Sequence, residues 1–178
     1  NQSVLFITGM AGIGKSEVAK AYAQTNRKKY TNIIYLYYTG DLRKDIANLT
    51  FADDSVEMNE EVRFQNHYKV MQRLHTDTLL ILDNFNVLPK DEPFLKELMK
   101  NDMQLLITSR CKLKNYDSIE IKELDKEKEL TELFYKHCPS AKRDPDSVSA
   151  IIEEVNCHTL TVCMAALTLE ASGMEPEE

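Results

Sequence analysis

Short apolar runs alternate with amphipathic stretches along the first two thirds of this 178-residue chain. Five of the runs are rich in β-branched, aliphatic or aromatic residues and predict strands, because strands buried on both faces read as nearly continuous apolar segments. The predicted strands cover residues 3–8, 31–39, 78–83, 103–108 and 117–122. The fifth run alternates polar and apolar residues, which favours an edge strand.

Segments with apolar residues at helical spacing separate these strands. The predicted helices cover residues 17–24, 41–49, 56–75 and 89–100. Val18 and Tyr22 share one face of the first helix, Asp41 is the expected cap of the second, and residues 52–55 are expected to form a loop. Strands that alternate with helices predict an α/β fold with three layers, in which helices cover both faces of a parallel five-stranded sheet.

The pattern changes after Lys122, where only helical segments follow. We expect helices at 126–138 and 159–171 and a third between them that begins after Asp144 and Pro145, a typical cap and first-turn pair. The inward residues predicted for the last helix are Leu160, Cys163, Met164 and Leu167, and residues 175–178 are expected to be frayed. The predicted domains are therefore an α/β domain at 1–122 and a small all-helical subdomain at 123–178.

A glycine-rich motif, GMAGIGKS, lies between the first strand and the first helix. It fits the phosphate-binding P-loop or Walker A pattern G-x-x-x-x-G-K-[ST] in the strand–loop–helix context that the motif requires. The candidate nucleotide contacts in and beside it are Gly9, Met10, Ala11, Gly12, Ile13, Gly14, Lys15, Ser16 and Glu17.

The residue types of this motif suit a triphosphate and its metal. Glycines let successive backbone N–H groups point at phosphate oxygens, and the helix that follows adds its positive dipole end. Lys15 is expected to contact the β- and γ-phosphates, and the Ser16 hydroxyl to bind Mg²⁺, which prefers oxygen ligands. The motif therefore predicts binding of ADP or ATP with Mg²⁺.

Two further polar residues follow apolar strands. Asp83 ends the third strand, as in a Walker B motif, and predicts a second metal-binding residue. Arg110 directly follows the fourth strand, and its planar guanidinium can contact the γ-phosphate. Because parallel strands end at one edge of the sheet, we expect these residues to converge on the P-loop.

Composition and charge limit the partners. The formal net charge is −7, with 29 acidic and 22 basic residues, which argues against direct binding of nucleic acid. The sequence contains no apolar run long enough to cross a membrane and no signal-peptide pattern. The four cysteines form no C-x-x-C pair, so a zinc site is not expected. We expect them to be small core residues of a protein in the reducing cytoplasm.

Together these segments resemble the NB-ARC branch of the STAND signal-transduction NTPases. The segments that carry the resemblance are GMAGIGKSEVA, LLILDN, LLITSR, EIKELDKEKELTELF and NCHTLTVCMAAL. The last has the character of a bacterial member. The resemblance implies a switch that holds ADP in a closed state, exchanges it for ATP and then self-associates. It also implies a longer protein that carries a winged helix and C-terminal repeats.

The resemblance assigns site residues and also fails at two positions. It places Asp83 on the metal and Arg110 on the nucleotide, but Asn84 stands where the family has a second acidic residue. An amide orients water but cannot take its proton, so hydrolysis is expected to be slow or absent. Aligning the family's Gly-x-Pro motif here puts Cys157, His158, Thr159 and Leu160 at its positions, so Thr159 and Leu160 become candidate nucleotide contacts without the proline.

Three other functions remain open from the sequence. The first is a P-loop ATPase or small-molecule kinase that acts as a self-contained enzyme, although no arginine-rich lid or acceptor site is evident. The second is an AAA+-like motor or loader, which would favour Asp-Glu over Asp83-Asn84. The third is a degenerate P-loop domain kept for interaction, against which the intact Lys15 and Ser16 argue.

Overall fold

The structure, a computed structural model, describes residues 4–52, 54 and 58–173. Contacts within the chain divide it into two compact units, Asn1–Gly9 with Lys15–Glu120 and Met10–Gly14 with Ile121–Glu178. The predicted boundary after Lys122 stays a prediction. Several predicted features lie outside the described residues, namely the strand start at residue 3, loop residues 53 and 55, the helix start at 56 and the frayed end at 175–178.

Five parallel strands form one sheet in the first unit, in the order β2-β3-β4-β1-β5. The strands are β1 (Val4–Thr8), β2 (Asn32–Tyr37), β3 (Thr78–Asp83), β4 (Gln104–Ser109) and β5 (Ser118–Glu120). This topology confirms the predicted parallel five-stranded sheet and the edge position of its fifth strand. The other edge is β2.

Four helices of the first unit follow the predicted positions, with shorter bounds for three of them. They are α1 (Lys15–Thr25), α2 (Leu42–Ala47), α3 (Glu60–Met71) and α4 (Pro93–Leu98). The Asp41 carboxylate caps α2 by accepting from the Arg43 and Lys44 N–H groups, as predicted. The Asn59 side chain caps the first turn of α3, which ends at Met71, before the predicted end at residue 75.

The sheet is packed on both faces because successive strand residues point in opposite directions. All six residues of β3 are buried. Leu80 and Leu82 belong to the main apolar cluster, which also contains residues of α2, α3 and α4. The opposite face is covered by α1 through its buried Ala19 and Ala23, whereas the Val18 and Tyr22 face is exposed. Small residues let α1 approach the sheet closely.

The second unit contains a helical cluster. A wide π-type turn at Lys126–Leu130, capped by Asp125, leads into α5 (Thr131–His137) and replaces the start of the single predicted helix. A 3₁₀ turn at Pro139–Arg143 precedes α6 and α7. These last helices are α6 (Pro145–Glu154) and α7 (Thr159–Ser172). Within the described residues, no helix combines the length and apolar character that crossing a membrane requires.

The face predicted for α7 is wrong. Val162 and Ala166 are its fully buried residues, while Leu160, Met164 and Leu167 are each about half exposed. Apolar side chains occur all round this helix, so its periodicity does not distinguish a buried face. Packing in the second unit, against Leu130, Phe134 and Ile152 among others, selects the Val162 side.

Candidate functional site

The P-loop backbone forms the turn between β1 and α1. Gly12 and Gly14 have φ angles of 69° and 105°, which L-residues with side chains rarely adopt. The intervening Ile13 is buried and anchors the loop. A turn of this kind gathers backbone N–H groups into an anion-binding concavity, and it ends at the N-terminus of α1, where the helix dipole favours an anion.

Lys15 is the first residue of α1, and its side chain turns back toward the loop. Its Nζ donates to the Gly9 carbonyl oxygen at 3.0 Å. Burial lowers the pKa of Lys15, and the nearby positive charge of Arg110 lowers it further, while Asp83 opposes both effects. Two cations therefore lie close enough to repel each other beside an anion-binding turn, and a bound anion would offset that repulsion.

The Asp83 carboxylate is buried at the end of β3 and accepts hydrogen bonds from three hydroxyl groups. Its Oδ1 accepts from Ser16 at 2.7 Å and from Thr108 at 2.5 Å, and its Oδ2 accepts from Tyr35 at 2.5 Å. We call these four residues the carboxylate corner. Burial works to raise the pKa of Asp83, but the three hydroxyl donors outweigh it and hold this pKa below its usual range.

The donor set of this corner fits a magnesium ion. Ser16 and Asp83 are 67 residues apart in sequence, yet the structure brings their oxygen atoms within hydrogen-bond distance. A hydroxyl and a carboxylate are the ligand types that Mg²⁺ takes in nucleotide sites, together with phosphate oxygens and water. Both predicted metal-binding residues therefore lie at one point of the sheet edge, with Lys15 nearby.

Sequence reasoning missed the roles of Thr108 and Tyr35. Thr108 is buried near the end of β4. A polar residue at the end of an apolar strand is a sequence signal that could have indicated a site residue. Tyr35 lies on β2 opposite Ile81, so its side chain has to lean along the strand to reach Asp83. No local pattern in TNIIYLYYT distinguishes it from Tyr37 or Tyr38. Burial and the Asp83 charge raise the pKa of Tyr35, so it stays a neutral donor.

Asn84 follows Asp83 directly but has different contacts. Its φ of 65° is left-handed, a conformation that asparagine tolerates better than most residues. Its Nδ2 donates to the Tyr38 carbonyl oxygen at 3.3 Å, and its Oδ1 accepts from Asn86 at 2.5 Å. We call Tyr38, Asn84 and Asn86 the asparagine turn. The predicted water-positioning amide is thus already engaged in local hydrogen bonds.

A cleft of about 430 Å³ opens beside the asparagine turn. It lies where β2 and β3 end, the edge at which open α/β sheets bind ligands. Its lining residues are Tyr37, Tyr38, Thr39, Gly40, Asn84, Asn86 and Val87. None of these lining residues carries a charge, and the Asn86 Nδ2 donates to the Asn84 Oδ1 at 2.5 Å.

Arg110 follows β4 and is exposed, and its backbone N–H donates to Asn86 Oδ1 at 2.9 Å. Its positive charge contributes to lowering the pKa of Lys15. Among the other predicted contacts, Met10 is half exposed. Glu17 is exposed on α1, where its carboxylate accepts from Lys20 at 2.9 Å, and its negative charge is one of the smaller causes that raise the pKa of Tyr35.

Residues Met10–Gly14 belong to the same compact unit as α7. In that unit the His158 Nε2 lies 2.8 Å from the Ala11 carbonyl oxygen, and its Nδ1 lies 3.1 Å from the Thr161 hydroxyl. Leu160 Cβ would be only 2.9 Å from a Cβ added at Gly12. The buried Thr159 Oγ1 finds no hydrogen-bond partner among the described residues. The predicted contacts Thr159 and Leu160 thus lie at this turn, together with His158, which sequence reasoning did not select.

Comparisons with known proteins bear on the fold. No protein-family model and no curated protein sequence matches the chain. Among solved structures, it is similar to Drosophila ORC bound to DNA, with 16% identity and a TM-score of 0.50 over 94% of this chain and 50% of that one. It is also similar to the FIGL-1 AAA domain in complex with ADP, with 11% identity and a TM-score of 0.55 over 99% of this chain and 66% of that one.

These similarities cover the α/β sheet and the helices that follow it, at identities that establish fold and nothing finer. The chain spans half the length of the first structure and less than two thirds of the second. Together with the parallel sheet in the order β2-β3-β4-β1-β5 and the glycine turn before α1, they show that this protein has a P-loop NTPase fold.

Proposed function

We propose that this chain is an ADP- and ATP-binding switch module of the NB-ARC and STAND type. The observation that carries the proposal is the meeting of Ser16 with Asp83 at 2.7 Å, beside Lys15 and at the end of a glycine turn. A polyphosphate and its magnesium ion need amide donors, a cation, a hydroxyl and a carboxylate at one place. This sheet edge provides each of them.

The residues divide the work of binding. Backbone N–H groups of the glycine turn and the start of α1 hold the phosphates, and Lys15 exchanges the Gly9 carbonyl for phosphate oxygens. Ser16 and Asp83 hold Mg²⁺, which neutralises phosphate charge. Arg110 adds a second cation, whose repulsion with Lys15 falls once an anion is bound. Thr159 is included in the proposed site on the family resemblance.

Hydrolysis is proposed to be slow. Attack on the γ-phosphate is helped by a group that orients water and takes its proton, and Asn84 cannot do the second. Its amide is also held by Tyr38 and Asn86. A site that binds ATP tightly and turns it over slowly suits a switch, in which the identity of the bound nucleotide sets the conformation.

The signalling role follows from the resemblance of the motifs and stands as part of the proposal. Exchange of ADP for ATP would change the conformation and promote self-association, with a winged helix and C-terminal repeats elsewhere in the full-length protein as partners. A cytoplasmic location and the absence of direct nucleic-acid binding belong to the same proposal, the second supported by the net charge of −7. The alternative is a P-loop ATPase or kinase that acts as a self-contained enzyme.

Calorimetric titration with ADP and Mg²⁺ tests the binding site. We expect the parent chain to bind and Lys15→Ala to lose about 100-fold in affinity, because it removes a charge-assisted contact to phosphate. Lys100→Ala is the matched control, since Lys100 is an exposed lysine paired with Glu97 on α4. Equal ADP affinity in Lys15→Ala and the parent would reject the site.

Turnover and mass distinguish the switch from the enzyme. A switch should hydrolyse ATP well below about 1 s⁻¹, an ordinary lower limit for enzymes. Multiple turnover above that rate would favour the enzyme. Light scattering on the full-length protein should give a larger particle with ATP than with ADP, and equal masses would contradict the proposed self-association.

A further inference from the structure

We propose that Tyr35 is a metal-positioning residue, which fixes the Asp83 carboxylate so that one of its oxygens is presented to Mg²⁺. The inference rests on the proposed nucleotide site and adds a residue that neither the motifs nor the fold assigns. The observation behind it is the hydrogen bond from the Tyr35 hydroxyl to Asp83 Oδ2 at 2.5 Å.

The two oxygens of Asp83 have different neighbours. Oδ1 accepts from Ser16, the residue that would bind Mg²⁺, and from Thr108. Oδ2 accepts from Tyr35 on the neighbouring strand. A hydroxyl has one O–H and two lone pairs, so Ser16 could bind Mg²⁺ through a lone pair while its O–H still donates to Oδ1. Oδ2 keeps its hydroxyl donor throughout.

Without the Tyr35 hydroxyl, Oδ2 would lose the side-chain donor that the described residues give it, and the remaining donors Ser16 and Thr108 would both act on Oδ1. The carboxylate would then be freer to rotate about its χ2 bond, and part of the metal-binding free energy would be spent on ordering it. Outer hydrogen bonds to metal ligands commonly change metal affinity by about 10- to 100-fold. Tyr35 is 40% exposed, so water can replace part of its contact and we expect an effect at the lower end of that range.

The position of Tyr35 supports a directed role. Tyr37 is the residue of β2 that pairs with Asp83 in the sheet register, whereas Tyr35 pairs with Ile81. Tyr35 and Tyr37 point to the same face, since they are two residues apart on one strand. Only the more distant tyrosine reaches the carboxylate, so its side chain is extended toward the strand end rather than laid over the sheet.

The test measures how strongly Mg²⁺ increases ADP affinity. The dissociation constant of ADP is determined in excess EDTA and in excess Mg²⁺, and the ratio of the two values is compared among the parent, Tyr35→Phe and Tyr22→Phe. We expect Tyr35→Phe to lower the ratio about five- to tenfold while its EDTA value stays within about twofold of the parent. Tyr22→Phe, which removes the hydroxyl of a tyrosine of similar exposure that pairs with Tyr30 instead of Asp83, should keep the parent ratio.

Each other outcome rejects the inference in a different way. An unchanged ratio in Tyr35→Phe would mean that the hydroxyl does not act on the metal. An equal loss in EDTA and in Mg²⁺ would mean that the tyrosine only supports the fold, which circular dichroism and the melting temperature check independently. A parent that binds ADP without any response to Mg²⁺ rejects this inference alone, whereas a parent that binds no ADP rejects the proposed function as well.

Discussion

The carboxylate corner and the asparagine turn contain two consecutive residues, Asp83 at the end of β3 and Asn84 directly after it, yet their chemistry differs. Asp83 is buried and collects hydroxyl donors from α1, β2 and β4. Asn84 adopts a left-handed backbone conformation, and its side-chain amide forms hydrogen bonds with Tyr38 and Asn86. Two adjacent residues at one strand end therefore have opposite environments, and the proposed metal site lies at Asp83, while the Asn84 side chain is engaged in other hydrogen bonds.

Asp83→Asn should have the largest effect, because it removes the charge that the carboxylate corner presents to Mg²⁺. We expect the Mg²⁺-dependent part of the ADP affinity to fall about 100-fold while affinity in EDTA changes little. Calorimetry with and without Mg²⁺ measures both quantities. Asp91→Asn, at an exposed aspartate, controls for the change in net charge. An unaltered Mg²⁺ response would show that Asp83 is not part of the metal site.

Thr108→Val tests the residue that links the two regions. Thr108 Oγ1 donates to Asp83 and accepts from the Asn84 backbone N–H at 2.9 Å. Valine fills nearly the same volume but leaves that N–H without its partner, so the free energy of unfolding should fall by about 2 kcal/mol. Urea unfolding measures the change. Thr108→Ser keeps the hydroxyl and should lose clearly less, and an equal loss in both variants would assign the effect to packing.

Asn84→Asp asks whether a carboxylate alone would give the asparagine turn a catalytic function. We expect ATP turnover to change less than about twofold, because local hydrogen bonds and the left-handed backbone hold the side chain. An aspartate cannot donate to the Tyr38 carbonyl, so the free energy of unfolding should fall by about 1 kcal/mol. Single-turnover kinetics and urea unfolding give the two values. A rise in turnover of about 100-fold, a typical contribution of a general base, would contradict this view.

The smallest expected effect is on the pH dependence of stability. Hydroxyl donors more than offset burial and leave the folded-state pKa of Asp83 below its unfolded value, so ionised Asp83 stabilises the fold above the unfolded pKa of about 4. That contribution is lost as the pH falls through the folded-state pKa. In Asp83→Asn, the free energy of unfolding should therefore decrease less steeply below pH 4 than in the parent. Parallel slopes in urea unfolding at pH 5, 4 and 3 would reject the assignment.

Much of the sheet could be predicted because its signals are local. The segment TLLILD reads as a strand buried on both faces, and the structure has β3 at those same six residues. The glycine loop and its flanking strand and helix follow from residue types at fixed spacing. Asp41 and Asp144 were predictable caps because a cap bonds to N–H groups two or three residues away.

The predictions failed where a choice depended on distant residues. The inward face of α7 was wrong because apolar residues surround the helix, and only packing against α5 and α6 selects Val162 and Ala166. The continuous helix at 126–138 became a wide turn followed by α5. Tyr35 and Thr108 are 48 and 25 residues away from Asp83 in sequence, so no window of neighbouring residues reveals their hydrogen bonds to its carboxylate.

By itself, the sequence determined the list of chemical groups at the strand ends and the parallel sheet that brings them to one edge. Motif spacing and hydrophobic runs are sufficient to predict these features, because they are patterns among residues that are close together in the sequence. Only the tertiary structure decided which oxygen of Asp83 meets which hydroxyl, and that the Asn84 amide is already bonded to Tyr38 and Asn86. Hydrogen bonds are short and directional, so their partners are fixed only when all the strands are in register.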